Sequence, residues 1–312
     1  MQRPVRIGAR GSRLSRAQAG QMQARIAAAL GAPPEDAQAV APLVIITTSG
    51  DMIQDRRLLE AGGKGLFVKE IEQALLDGEI DCAIHSLKDV PAELPPGLVL
   101  AAHPEREDPR DALVSLKYAS LEALPHGARL GTASLRRQAQ CLFRRPDLVV
   151  EMLRGNVDTR LSKLADGQFD AILLAAAGLN RLGLSKHVSE LFDPYAAPPA
   201  PGQGALAIET RAADADAPWL QGLKHRPTTI AIAAERGAMA ALEGSCRTAI
   251  GAHARIEEGR LSLVVEALTG DGGERWRREG EITLQGEAEA YALGLELGAL
   301  VREAAGDRLL VA

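Results

Sequence analysis

The sequence predicts an α/β protein: two hinged, doubly wound lobes followed by a small α+β domain with a three-stranded antiparallel sheet. Three observations carry that expectation. Short apolar, β-branched runs alternate with segments of helical periodicity over roughly the first two thirds of the chain. That alternation occurs twice, with proline-rich punctuation between the blocks. Near Thr228 the texture changes to strand-like runs closed by a long Ala/Leu/Glu-rich helix.

Each element has a local reason. Residues 5–9 read as a strand, and Ser12 as the N-cap of a helix that reaches Leu30 and stops at Gly31. Residues 43–48 are apolar and β-branched, which predicts a buried strand. Leu66, Phe67, Ile71 and Leu75 have helical spacing, and 82–85 is a further strand. The second block predicts strands at 112–114 and 129–131, a helix at 134–143 and a strand at 148–152. It continues with a helix at 157–165 and a fully apolar strand at 171–175. The punctuated stretches are 91–109 and 194–204, after which 205–209 returns to the first sheet. The expected domains are therefore 1–104 with 200–223, then 105–199, then 224–312. The last holds a helix at 230–242, strands at 250–256, 261–268 and 274–280, and a helix at 286–305. Ligands of such sheets sit outside the carboxyl ends of the strands.

Composition removes several functions. A net charge of −5 argues against general nucleic-acid binding, which needs a basic surplus. Aromatic residues are only 3%, too few for a base-stacking platform. No apolar run is long enough to span a membrane, and the first residues lack the apolar stretch of a signal peptide. Cys82, Cys141 and Cys246 lie far apart without a CxxC pair, which excludes a disulfide framework and predicts a cytoplasmic protein. No HExxH occurs, and no metal is expected.

Arginines give the strongest chemical signal. Arg10 and Ser12 stand where the first strand hands over to its helix, and Ser134, Arg136 and Arg137 stand at the equivalent turn of the second lobe. Arg154 and Arg160 repeat the arrangement after the next strand, and Arg181 follows another. Guanidinium groups beside free helix N–H groups suit carboxylate or phosphate recognition. Asp89 and Lys88 lie just past a buried strand, where a carboxylate can act as acid, base or stabiliser of a cation. A turn aspartate ahead of a proline is the plainer reading of the same residue. Gly62-Gly63-Lys64-Gly65 lacks the Walker spacing and, with 51–61 before it, reads as a mobile lid. Cys246 follows the carboxyl end of a helix, where the dipole disfavours a thiolate. It suits a one-time attachment point better than a turnover nucleophile.

These segments together resemble the porphobilinogen deaminases, also called hydroxymethylbilane synthases. HSLKDVP at 85–91, GTASLRRQ at 131–138 and LRGNVDTRL at 153–161 carry the likeness, with 7–18, 62–69, 176–183, 201–209 and 235–251. The last 60 or so residues match only loosely. The resemblance implies a fold like that of type II periplasmic binding proteins. It also implies a transferase of tetrapyrrole biosynthesis that joins four porphobilinogens head to tail, releases ammonia and frees linear hydroxymethylbilane. The family grows its chain on a dipyrromethane cofactor held by a thioether, which by motif position is at Cys246. The same positions imply Asp89 as the catalytic carboxylate, and Lys88, Ser134, Arg136 and Arg137 as cofactor-binding residues. Arg10, Ser12, Lys64, Phe67, Arg154, Arg160 and Arg181 are the implied substrate-binding residues. The expected partner is porphobilinogen alone, with no nucleic acid or membrane, and a monomer. Ser49, Ser245 and Ala249 depart from the family pattern without removing a group the chemistry needs. A solute-binding protein shares the two-lobed architecture and is the rival reading. A ligand-sensing regulator domain is weaker, since no helix-turn-helix segment is evident.

Overall fold

The computed structural model of the chain describes residues 3–52, 67–242 and 248–309. In chain order β1 (Ile7–Arg10) leads into α1 (Arg13–Ala29), followed by α2 (Ala37–Val40), β2 (Leu43–Ile46), α3 (Ser49–Met52), α4 (Lys69–Leu76), β3 (Cys82–Ser86) and β4 (Leu98–Ala102). The second series is β5 (Asp111–Val114), β6 (Arg129–Gly131), α5 (Leu135–Arg144), β7 (Val149–Glu151), α6 (Val157–Ala165), β8 (Ala171–Ala175), α7 (Ala176–Arg181) and β9 (Glu190–Leu191). Then come β10 (Leu206–Arg211), α8 (Arg226–Ala241), β11 (Ala249–Glu257), β12 (Arg260–Leu268), β13 (Arg275–Thr283) and α9 (Glu287–Ala305).

Local chemistry sets the helix starts. Ser12, Ser134 and Asn156 are the N-caps of α1, α5 and α6, their side chains accepting the backbone N–H three residues on. Leu30 caps the end of α1, and Gly31 follows with φ +75°.

The chain divides into two compact units, Met1–Glu107 with Ala205–Thr229, and Asp108–Gly204 with Ile230–Ala312. The first unit has a five-stranded sheet of order β2-β1-β3-β10-β4, in which β1 runs parallel to β2 and β3. β10 is antiparallel to both its neighbours. The second unit has the matching order β7-β6-β8-β5-β9, with β6 parallel to β7 and β8, and β5 antiparallel to β8 and β9. In both sheets the strand of opposite sense is the one that enters as the chain arrives from the other unit.

Three strands differ from the sequence reading: β2, β4 and the two-residue edge strand β9, which was not expected. Residues 43–48 were expected as a buried strand, yet β2 is an edge strand, only partly buried, with Ile45 38% exposed. An apolar run reports that a strand forms, not whether both of its sides are paired. β4 lies inside the proline-rich stretch 91–109, where no strand was expected; Pro95, Pro96 and Pro104 flank it and leave its amides free to pair.

The second unit also holds the antiparallel sheet β11-β12-β13. Ile230, Ala234 and Ala238 of α8 and Leu297 and Val301 of α9 share a core with Leu263 and Val265 of β12. The two helices meet backbone to backbone: a Cβ on Gly294 would lie 2.0 Å from the Ala234 carbonyl oxygen, so only glycine fits there. Among the described residues no helix is long and apolar enough to cross a membrane.

Candidate active site

In the first unit the carboxyl ends of β1 and β3 open on a cavity of about 70 Å³. Arg10, Ser12, Phe67 and Asp89 all line it, together with Gln18, His85 and Ser86. The Arg10 backbone N–H donates to Ser15 Oγ at 3.1 Å, which ties the strand end to the first turn of α1. The Arg10 guanidinium stacks over the Phe67 ring, 4.0 Å from its centroid. Gln18 Nε2 donates to Ser86 Oγ at 2.9 Å. β3 then passes into a single 3₁₀ turn, Leu87–Asp89, which leaves Asp89 exposed and Lys88 half-buried. A guanidinium group, an aromatic face and an accessible carboxylate thus border one space.

His85 of that lining lies near buried carboxyl groups that the sequence reading did not single out. His85 Nε2 lies 3.0 Å from Glu209 Oε2 of β10, both side chains being buried. Glu72 of α4 is buried and within their field; burial first, and then the Glu209 carboxylate, push its carboxyl up to about 7, with His85 opposing. The available signal was a polar residue within an otherwise apolar strand, at His85 and Glu209.

In the second unit Asp111, the first residue of β5, holds the two consecutive arginines of α5. Arg136 Nη1 donates to Asp111 Oδ2 at 2.6 Å, and Arg137 Nε to Asp111 Oδ1 at 2.8 Å. Gln203 Nε2 adds a third donor at 2.9 Å. Burial alone would raise the Asp111 carboxyl, but the two guanidiniums outweigh it and hold it far below the usual range. Arg136 also donates to Gln140 Oε1 at 2.8 Å, and Gln140 Nε2 reaches Glu266 Oε1 of β12 at 2.6 Å. Two cations share one carboxylate at this point, and Arg136 Nε is buried without a hydrogen-bond partner among the described residues. Ser134 caps the same helix.

The remaining predicted residues follow β7 and β8, which β6 separates in the sheet. Arg160 Nε donates to the Gly155 carbonyl at 2.8 Å in the first turn of α6, and Arg154 lies in the loop before it. Arg181, the last residue of α7, donates to the Gly204 carbonyl at 2.7 Å. Lys64, Cys246 and Ser245 lie outside the described residues, as does 53–66, the main part of the expected lid. Ser49 contacts the Glu70 carboxylate through both its N–H and its hydroxyl, and Ala249 begins β11 in a buried position. Cys82 and Cys141 are buried; burial pushes both thiols up, Cys141 to about 12, so neither is a ready nucleophile.

Two predictions follow from these environments. Asp111→Asn leaves two buried guanidiniums without their counter-charge, so urea unfolding should show a loss of about 3–5 kcal/mol. A loss below about 1 kcal/mol, the range of an exposed pair, would count against the buried triad. Glu72 is the opposite case, a carboxyl whose folded pKa is raised. Its contribution is therefore present in full below the ordinary value near 4.5 and is lost as pH rises through about 7. Stability should fall by up to about 3 kcal/mol between those limits through this group. Glu72→Gln, neutral throughout, should flatten the wild-type decline between about pH 5 and pH 8, and equal slopes would refute it.

Comparison with known proteins identifies the family. The family described as "Porphobilinogen deaminase, dipyromethane cofactor binding domain" matches residues 5–218, and its C-terminal domain matches 229–303. A porphobilinogen deaminase of Caulobacter vibrioides (strain NA1000 / CB15N) is 68% identical over 317 residues, covering 99% of this chain and 98% of that protein. That of Phenylobacterium zucineum (strain HLK1) is 64% identical over 314 residues, covering 98% of each. Among solved structures, a periplasmic substrate-binding protein of an ABC transporter from Coxiella burnetii has a TM-score of 0.44 at 15% identity. It covers 74% of this chain and 96% of its own, a likeness too loose to add to the fold. With both domains matched in order and close relatives aligned from end to end, the chain belongs to the porphobilinogen deaminase family.

Proposed function

We propose that Asp89 is the carboxylate through which this chain carries out its family's reaction. The enzyme is a transferase of tetrapyrrole biosynthesis. It condenses four porphobilinogen molecules with loss of four ammonia molecules, and releases linear hydroxymethylbilane after addition of water. The observation that carries the assignment of Asp89 is its exposed position on a cavity it shares with Arg10 and Phe67. Porphobilinogen has an acetate, a propionate and a pyrrole N–H. Arg10 and Ser12 suit its carboxylates, Phe67 its ring, and Asp89 its N–H. As the amine departs, positive charge develops on the pyrrole, and a fixed carboxylate stabilises it without reorganisation. The same oxygen can take up and return the proton that the substitution requires.

The dipyrromethane cofactor, when bound, supplies the pyrrole carbon to which the first substrate is joined. We assign its attachment to Cys246. Arg136, Arg137, Ser134 and Lys88 would hold its carboxylates. Two guanidiniums against one Asp111 carboxylate leave one positive charge over, and the buried Arg136 Nε is a donor with no partner among the described residues. Both features suit an anionic group. Arg154, Arg160 and Arg181, with Lys64, are the proposed contacts for substrate carboxylates. We place the enzyme in the cytoplasm as a monomer; its free cysteines suit a reducing compartment.

The attachment is read by intact mass. The purified protein should weigh more than its sequence by one dipyrromethane, Cys246→Ser should lack the increment, and Cys82→Ser and Cys141→Ser should retain it. An unmodified wild-type protein that still turns over porphobilinogen would overturn the assignment. For Asp89, asparagine keeps the size and removes the charge, so turnover should fall by a factor of about 10² to 10³. Asp89→Glu should remain slowly active. If Asp89→Asn keeps more than about a tenth of wild-type kcat, the turn-aspartate reading stands instead.

A further inference from the structure

Glu209 and His85 form a buried pair that none of the proposed substrate contacts uses. Their side chains are 1% and 3% exposed, and Nε2 lies 3.0 Å from Oε2. They come from adjacent antiparallel strands in which Ala207 opposes His85 and Glu209 opposes Ala83. The pair is therefore diagonal across one face of β3 and β10. His85 lines the same cavity as Asp89, and only Ser86 separates it from the Leu87–Asp89 turn. The contact thus ties the end of β3 to β10 immediately before the chain turns to present Asp89. A second tie, from the Leu87 N–H to the Ala205 carbonyl at 3.1 Å, joins the same two segments.

The pair is poorly suited to a purely structural task. Glu209 Oε1 is buried with no hydrogen-bond partner among the described residues, an omission that costs about 1–3 kcal/mol. Apolar residues of similar volume would join two paired strands as well or better. The ionisable groups around His85 are Glu209 from β10 and Glu72 from α4, with Arg10 of β1 and Asp89 of its own turn at the cavity. α1 contributes the uncharged Gln18. A directional hydrogen-bonded contact sits where orientation of the following turn matters.

We propose that Glu209 and His85 act as one unit to position Asp89, fixing the end of β3 and with it the direction in which the turn presents the carboxylate. This rests on Asp89 being the catalytic carboxylate. A misplacement of about an ångström at a reacting group can cost about a hundredfold in rate.

The test uses cofactor-loaded enzyme, with loading checked by intact mass, and measures kcat and KM for Glu209→Gln, Glu209→Asp, His85→Gln and the double variant Glu209→Gln/His85→Gln beside Asp89→Asn. Glu209→Gln should lose about tenfold or more in kcat while KM stays within about threefold. Glu209→Asp should recover part of that loss. The double variant should be no slower than the slower single variant, because the two residues share one contact. A folded, loaded Glu209→Gln with kcat within about twofold of wild type overturns the proposal, as do losses that multiply in the double variant. If Glu209→Gln does not fold, His85→Gln reads the same contact, and wild-type kcat there is equally decisive. The two readings separate cleanly: full activity in Glu209→Gln beside an inactive Asp89→Asn sinks the positioning role alone. An active Asp89→Asn removes the premise and sinks both.

Discussion

A single buried carboxylate, Asp111, organises the binding edge of the second unit. It takes three donors from two directions: Arg136 and Arg137 from the start of α5, and Gln203 from the segment that precedes β10. Desolvating an aspartate and two arginines is expensive, and their mutual attraction offsets that cost only with good geometry. The short contacts at 2.6 and 2.8 Å meet that requirement. One constraint therefore fixes the first strand of a sheet, the first turn of a helix and a crossing segment at once. Through Gln140 and Glu266 it extends to Arg275 of β13, whose Nε donates to Glu266 Oε2 at 2.8 Å. The lobe and the antiparallel sheet of this unit are thereby joined through a buried polar chain as well as through apolar packing.

The two units differ in the polarity of these clusters. In the second, arginines outnumber the acid that holds them, and the surplus charge suits a polyanionic ligand. In the first, the acid at the cavity is exposed while the arginine is spread over an aromatic ring. The pair of His85 and Glu209 lies further in, a buried hydrogen-bonded contact just ahead of the turn that carries Asp89.

Much of this molecule is legible in its sequence, and the physical reason is locality. Helix starts depend on groups three residues apart, so Ser12 declares α1, and the structure shows Ser134 and Asn156 capping α5 and α6 by the same rule. The helix at Val157–Ala165 and the strand at Ala171–Ala175 have the bounds their periodicity predicts. The chemical groups are equally visible, because strand–turn–helix junctions carry the arginines and Asp89 within short motifs. What only the tertiary structure decided is long-range. Asp111 is 25 residues from Arg136, His85 is 124 from Glu209, and Gln140 is 126 from Glu266. Each pairing depends on which strands become neighbours. No local rule states that β10 returns to lie between β3 and β4, or that β2 ends at a sheet edge with Ile45 exposed. Sequence determined which groups are present and on which elements; sheet order decided which of them meet, because contacts across strands are set by the path of the whole chain.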